Sequence, residues 1–196
     1  MSEFWNEDLA QLYQSLILDV ARKPFHKVDE ITVGAKVIMQ KLQHLHSDCP
    51  ISHQVNPTCG DELYLQAKIV TNKSANNAVA EVDVHANQGE TSAAKSAFDR
   101  GKLMVDDLNW AGSGCSISEA STSIMIKLIM GTTIESANKT LESFEHMLTD
   151  LQFEPSEEEA ASLGDAMAFY NVRNYPNRIK CALLGWMSLK DLLQNV

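Results

Sequence analysis

The sequence predicts an α+β fold: a small antiparallel sheet of about three strands, packed on one side by helices. Two observations predict it. Three stretches with strand character, Leu63–Val70, Glu81–His85 and Leu103–Trp110, come one after another. One amphipathic stretch precedes them and four helical stretches follow residue 115. Strands grouped apart from helices favour α+β over an alternating α/β plan. At 196 residues the chain fits a single domain, 1–196, with insertions at about 25–53 and 71–102.

The first helix is marked by Leu9, Leu12, Tyr13, Leu16, Ile17 and Val20 at three- and four-residue spacing, ending near Lys23-Pro24. The stretch 25–53 has no clear period, and Val37–Leu42 reads as strand or helix. It carries Cys49, which has no motif around it, and His44, His46 and His53; a solvated pair is the simpler reading of His44 and His46.

Asn56-Pro57-Thr58-Cys59-Gly60-Asp61 then forms a tight turn at the start of a strand. Pro57 fixes its own φ and drives Asn56 toward an extended conformation, and Gly60 allows a sharp bend after the cysteine. Residues 87–102 read as an exposed excursion with a short helix around Ala93 to Phe98. After Leu103–Trp110, the loop Ala111–Cys115 leads into a helix with Ser116 and Glu119 spaced as a capping box and Ile117, Ala120, Ile124 and Leu128 as its buried stripe. Gly131 stops it. Thr132 and Glu135 are spaced as a second box, opening a helix with Ile134, Ala137, Leu141, Phe144 and Leu148 inward. Ser156 and Glu159 are a third, heading a short acidic helix to about Phe169. Tyr175–Cys181 leads into a last helix with Ile179, Leu183, Trp186, Leu189 and Leu193 on its core face.

Composition narrows the function classes. A formal net charge of −10 argues against nucleic acid, which needs a cationic face. No run approaches the ~18 apolar residues of a membrane span. The opening Met1–Asp8 lacks a basic and an apolar region, so no secretory signal is read there and a cytoplasmic location is expected. In a reducing compartment the four cysteines point to metal binding or thiol chemistry rather than disulfides.

Cys59 and Asp61, two residues apart on one turn, are two candidate ligands for one metal ion. Cys115 precedes a helix and Cys181 lies in or near the first turn of another. Helix N-termini stabilise negative charge, so both thiols are expected to have depressed pKa values. Three sulfurs and a carboxylate can hold Zn²⁺ tetrahedrally or ligate an iron–sulfur cluster. The spacing by itself leaves the matter open: there is no CxxC pair, and cysteine is also a common small core residue.

The local motifs say more. Asn56-Pro57-Thr58-Cys59-Gly60-Asp61, Gly112-Ser113-Gly114-Cys115-Ser116-Ile117-Ser118, and Arg178-Ile179-Lys180-Cys181 with Trp186 behind it resemble the three cysteine motifs of the U-type iron–sulfur assembly proteins. Leu12–Asp19 is similar to that family's first helix. Lys180 before the last cysteine, and the extra segment Ser156–Phe169, resemble the SufU branch rather than the IscU branch. The insertions mark a divergent member. The resemblance implies a Zn²⁺ held by Cys59, Asp61, Cys115 and Cys181. It also implies a PLP-dependent cysteine desulfurase (SufS-like) as partner, a histidine of which displaces Cys59 from the zinc. The freed Cys59 thiolate then accepts persulfide sulfur for a downstream iron–sulfur scaffold, and Arg178 is a candidate to steer the anionic persulfide. Two alternatives stand beside this one. The same ligands could assemble and transfer a [2Fe–2S] cluster, or the chain could be a non-catalytic desulfurase-interacting protein.

Overall fold

In the computed structural model, which describes residues 7–28, 50–71 and 103–194, the turn at Asn56–Asp61 is the tip of a β-hairpin. Strand β1 (Ile51–Asn56) pairs antiparallel with β2 (Asp61–Thr71), with Asn56 opposite Asp61. Strand β2 pairs antiparallel with β3 (Leu103–Ser113), so the sheet has three strands in the order β1–β2–β3.

Strand β1 begins within the stretch 25–53, which shows no apolar period, and the reason is physical. Its buried positions carry Ser52 and Asn56, while Val55 is 49% exposed, so the apolar alternation that marks a strand is inverted. Strand β2 is buried along most of its length. Leu63, Leu65 and Ala67 join Val105, Leu108 and Trp110 in the main core, and Tyr64 and Ala111 pack with Val28 and Ile51 in a small second cluster. The expected strand Glu81–His85, the helix around Ala93 to Phe98, Val37–Leu42, and Cys49, His44, His46 and His85 lie outside the described residues.

Helix α1 (Glu7–Arg22) packs Leu16, Ile17, Val20 and Ala21 against the core, but Leu12, assigned to the same stripe, is 63% exposed. The chain then runs beside β3. The amide of Val28 donates to the Trp110 carbonyl, the amide of Trp110 donates to the His26 carbonyl, and the indole N–H of Trp110 donates to the Phe25 carbonyl.

Helix α2 (Ser116–Ile129) starts one residue earlier than its capping signal implied. Cys115 is the N-cap and makes no side-chain capping bond, so the Ser116/Glu119 box does not form; Glu119 pairs with Lys27 at 2.8 Å instead. The helix is buried nearly all round, which explains its hydroxyls: Thr122 and Ser123 donate back to the Ser118 and Glu119 carbonyls, and Ser121 donates to the Ala182 carbonyl. Helix α3 (Ile134–Thr149) buries the expected stripe, but its cap is Thr133, whose hydroxyl accepts from the Ser136 amide, leaving Glu135 free to pair with Lys139. The Ser156/Glu159 box forms as expected at the head of α4 (Glu157–Leu163). That helix stops early because Gly164 takes φ +46°, and the chain continues to Asn174 as a 3₁₀ helix.

Helix α5 (Pro176–Gln194) begins with proline, whose missing N–H costs nothing in the first turn. It runs along α2 and beneath β1 and β2. Trp186 is its main anchor: the indole N–H donates to Ser121 Oγ at 3.0 Å and the ring stacks on Phe144 at 4.1 Å. Gly185 allows the close approach to α2, since a Cβ there would stand 2.5 Å from Thr122 Oγ1. Among the described residues, no helix is long and apolar enough to cross a membrane.

Candidate metal centre

The hairpin tip, the N-terminus of α2 and the second turn of α5 converge. The ligand atoms of Cys59, Asp61 and Cys181 all lie within 4.8 Å of one another, and the two sulfurs are 3.4 Å apart. Cys115 stands on the rim outside that mutual 4.8 Å group, with its Sγ 3.9 Å from Ser118 Oγ. Its backbone amide donates to Asp61 Oδ1 at 3.1 Å. One carboxylate oxygen therefore caps α2 in place of a side chain on the helix itself, which ties the hairpin tip to the helix start.

The turn is built by Asn56. Its Oδ1 accepts from the Thr58 amide at 3.0 Å and its carbonyl accepts from the Gly60 amide at 2.8 Å. Gly60 takes φ +78°, which a β-carbon would disfavour. The result presents Cys59 to solvent while Asn56 and Asp61 are buried. Cys181 is buried too.

These residues fit a cation. Asp61 Oδ2 is buried and finds no hydrogen-bond partner among the described residues, although buried carboxylate oxygens are normally satisfied. It belongs to the same carboxylate as Oδ1 and faces a set of thiols. A cation beside it would satisfy the orphaned oxygen, and two or three sulfurs with one oxygen suit the tetrahedral preference of Zn²⁺.

Electrostatics divide the donors. Burial pushes the Asp61 carboxyl up, but the Cys59 and Cys115 thiols, the Ser118 hydroxyl and the Cys115 amide outweigh it, so its pKa lies below the ordinary 3.8 and it is ionised at neutral pH. The Cys181 thiol is pushed well above its ordinary value, first by burial and then by Cys59, Cys115 and Asp61. This corrects the expectation that a helix N-terminus would depress it. Cys181 sits a full turn inside α5, where loss of solvent outweighs the dipole, which acts mainly within the first turn.

Arg178 precedes Cys181 by about one turn and is exposed, with its guanidinium 4.7 Å from the centre of the Tyr175 ring. It lines an open groove with Tyr13, Ile17, Ser116, Ile117 and Tyr175. Sequence reasoning overlooked two side chains that shape the site, Asn56 and Ser118. The Asn-Pro pair heading the turn was a readable signal, since Asn side chains commonly bond the backbone two residues on. Ser118 had none: it matters because it stands beside Gly114, where a Cβ would meet its Oγ at 2.2 Å.

Residues 97–182, which include Cys115 and Cys181, match the model of the NifU-like N terminal domain. This stretch is similar to that family's domain. It is 28% identical over 186 residues to the zinc-dependent sulfurtransferase SufU of Bacillus subtilis (strain 168), covering 95% of this chain and 92% of the relative. It is also 28% identical over 187 residues to the iron–sulfur cluster assembly scaffold protein IscU of Streptococcus pyogenes serotype M1, covering 95% of this chain and 85% of the relative. A solved structure from Fervidobacterium islandicum AW-1, described as a candidate iron–sulfur cluster assembly scaffold protein for the SUF system, superposes with a TM-score of 0.58 at 24% identity, covering 96% of this chain and 99% of that one. The last likeness supports the α+β NifU-like fold alone.

Proposed function

We propose that this NifU-like chain serves iron–sulfur cluster assembly as a zinc-dependent acceptor of persulfide sulfur, with Cys59 as the accepting thiol. The observation that carries the reading is the asymmetry of the donor set: Cys59 is exposed on a turn, while Asp61 and Cys181 are buried. Zn²⁺ held by Cys59, Asp61, Cys115 and Cys181 would keep the thiols as thiolates near neutral pH. Asp61, tied to the Cys115 amide, orients the hairpin tip. Cys59 and Cys115 are both exposed, whereas Cys181 is buried; of the two exposed sulfurs, Cys59 is the one that sits on the hairpin turn within the Cys59–Asp61–Cys181 group.

The partner in this reading is a PLP-dependent, SufS-like cysteine desulfurase carrying a cysteine persulfide. The Cys59 thiolate attacks the outer sulfur. A new S–S bond forms at Cys59 as the donor's S–S bond breaks, the donor cysteine leaves as a thiolate, and the transferred sulfur keeps its proton. No external oxidant or reductant is needed. In this reading Arg178, which lines the groove beside the α2 start, steers the incoming persulfide and stabilises the departing thiolate. The SufU relative supports the same reading.

The test is desulfurase turnover with and without this protein. Cys59→Ala, or removal of zinc, abolishes the stimulation; unchanged stimulation sinks the proposal. A second reading, a scaffold building a [2Fe–2S] cluster for transfer, draws on the equal identity to the IscU relative. Anaerobic reconstitution that yields a stable visible charge-transfer spectrum would favour it.

A further inference from the structure

The two sulfurs that come closest, on Cys59 and Cys181, are joined by a third side chain with no ligand role of its own. Asn56 is 3% exposed at the end of β1. Its Oδ1 accepts from the Thr58 amide at 3.0 Å, inside the turn that carries Cys59. Its Nδ2 donates to Cys181 Sγ at 3.4 Å, across to α5. The orientation of the amide is fixed by chemistry: only the oxygen can accept from the Thr58 N–H, so the NH₂ must face the sulfur. One planar group thus sets the turn and holds a sulfur 125 residues away.

We propose that Asn56 is a positioning residue that makes Cys181 the fixed ligand and leaves Cys59 the exchangeable one. The inference deepens the metal reading above and rests on it. A sulfur that accepts an N–H bond is held in one rotamer and its lone-pair density is partly engaged. Cys181 receives such a bond on a rigid helix, whereas Cys59 receives none from Asn56: it is carried by an exposed turn, and its sulfur meets Cys181 Sγ at 3.4 Å and the Asp61 carboxylate. Groups that orient a ligand in this way typically change metal affinity by about 10–100-fold when removed.

Two variants separate the two ends of the amide. Asn56→Ser keeps a short side-chain oxygen able to cap the Thr58 amide but cannot reach Cys181. Asn56→Ala removes both contacts. The full-length protein is titrated with Co²⁺, a spectroscopic stand-in for Zn²⁺, and the sulfur-to-cobalt charge-transfer band is recorded. In parallel, alkylation of Cys59 and Cys181 by iodoacetamide is followed in the metal-free protein by peptide mass mapping, with circular dichroism confirming the fold. In the wild type Cys59 is alkylated first. In Asn56→Ser the charge-transfer band shifts, Co²⁺ affinity falls about 10-fold and Cys181 alkylation accelerates relative to Cys59. In Asn56→Ala the affinity falls further, because the turn is lost as well. A folded Asn56→Ser protein with the wild-type band, affinity and alkylation order overturns the inference. A wild-type protein that takes up no Co²⁺ overturns the metal reading instead, so the two failures are told apart.

Discussion

Gly114 lies directly against Asp61: a β-carbon at Gly114 would stand 3.1 Å from the Asp61 carboxyl carbon and 2.2 Å from Ser118 Oγ. The backbone before Cys115 can approach the carboxylate only because no side chain intervenes. Gly114→Ala therefore pushes Asp61 and Ser118 aside and lengthens the Cys115 amide bond to Asp61. The expected outcome is a folded protein whose Co²⁺ or Zn²⁺ affinity drops at least 10-fold, measured by competition with a chromogenic chelator. Wild-type affinity in this variant would show that Asp61 is not held by this contact.

Gly185→Ala attacks the same site from behind. The added methyl meets Thr122 Oγ1 at 2.5 Å and the Thr122 backbone at 3.2 Å, so α2 and α5 must separate. Overpacking of this kind costs about 1–3 kcal/mol. Urea denaturation of the metal-free protein measures the loss. Because Cys115 is the N-cap of α2 and α5 carries Cys181, metal affinity falls with stability.

Ser156→Ala is the contrasting case. It removes a capping box at an exposed helix start, with the Ser156 hydroxyl and the Glu159 amide and carboxylate as partners. The expected loss is about 1 kcal/mol. Thermal unfolding registers it, while metal affinity and desulfurase stimulation stay at wild-type levels.

The alkaline limb of stability is set in part by Tyr64. Its pKa is pushed up to about 12, first by burial and then by the Glu62 carboxylate that accepts its hydroxyl proton at 3.0 Å. The folded-state value is raised above the unfolded 10, so the neutral phenol stabilises the fold fully below pH 10, and this contribution is lost as pH rises from 10 toward 12. The slope from this group is about 1.4 kcal/mol per pH unit in that window. Denaturation midpoints at pH 9, 10.5 and 11.5 measure it; Tyr64→Phe removes this part of the decline, and an unchanged decline in that variant refutes the assignment.

What the sequence carried, and what it hid, divides along physical lines. Helices α3 and α5 were legible because their buried faces are apolar at helical spacing, as with Phe144 and Trp186. Cys59, Asp61, Cys115 and Cys181 stood out in the sequence because each sits in a short, distinctive motif, and the structure brings the first two together with Cys181. Strand β1 was hidden because it presents Ser52 and Asn56 inward. Two of the three capping boxes were misplaced because Ser, Thr and Glu are frequent near helix starts and only backbone geometry decides which residue caps. The Cys181 environment was misjudged because distance from the helix end and burial are tertiary facts.

Cys59 and Cys181 are 122 residues apart in sequence, and Asp61 reaches Cys115 over 54. During synthesis the hairpin tip and Cys115 emerge from the ribosome before α5 does, so a nascent chain without α5 offers Cys59, Asp61 and Cys115 but lacks Cys181. The full chelate closes only after α5 has docked on α2 and the sheet. On the proposed reading metal capture is a late event in biogenesis, and an ion bound there would cross-link three remote chain segments, so a melting temperature that rises with free metal concentration is the expected outcome.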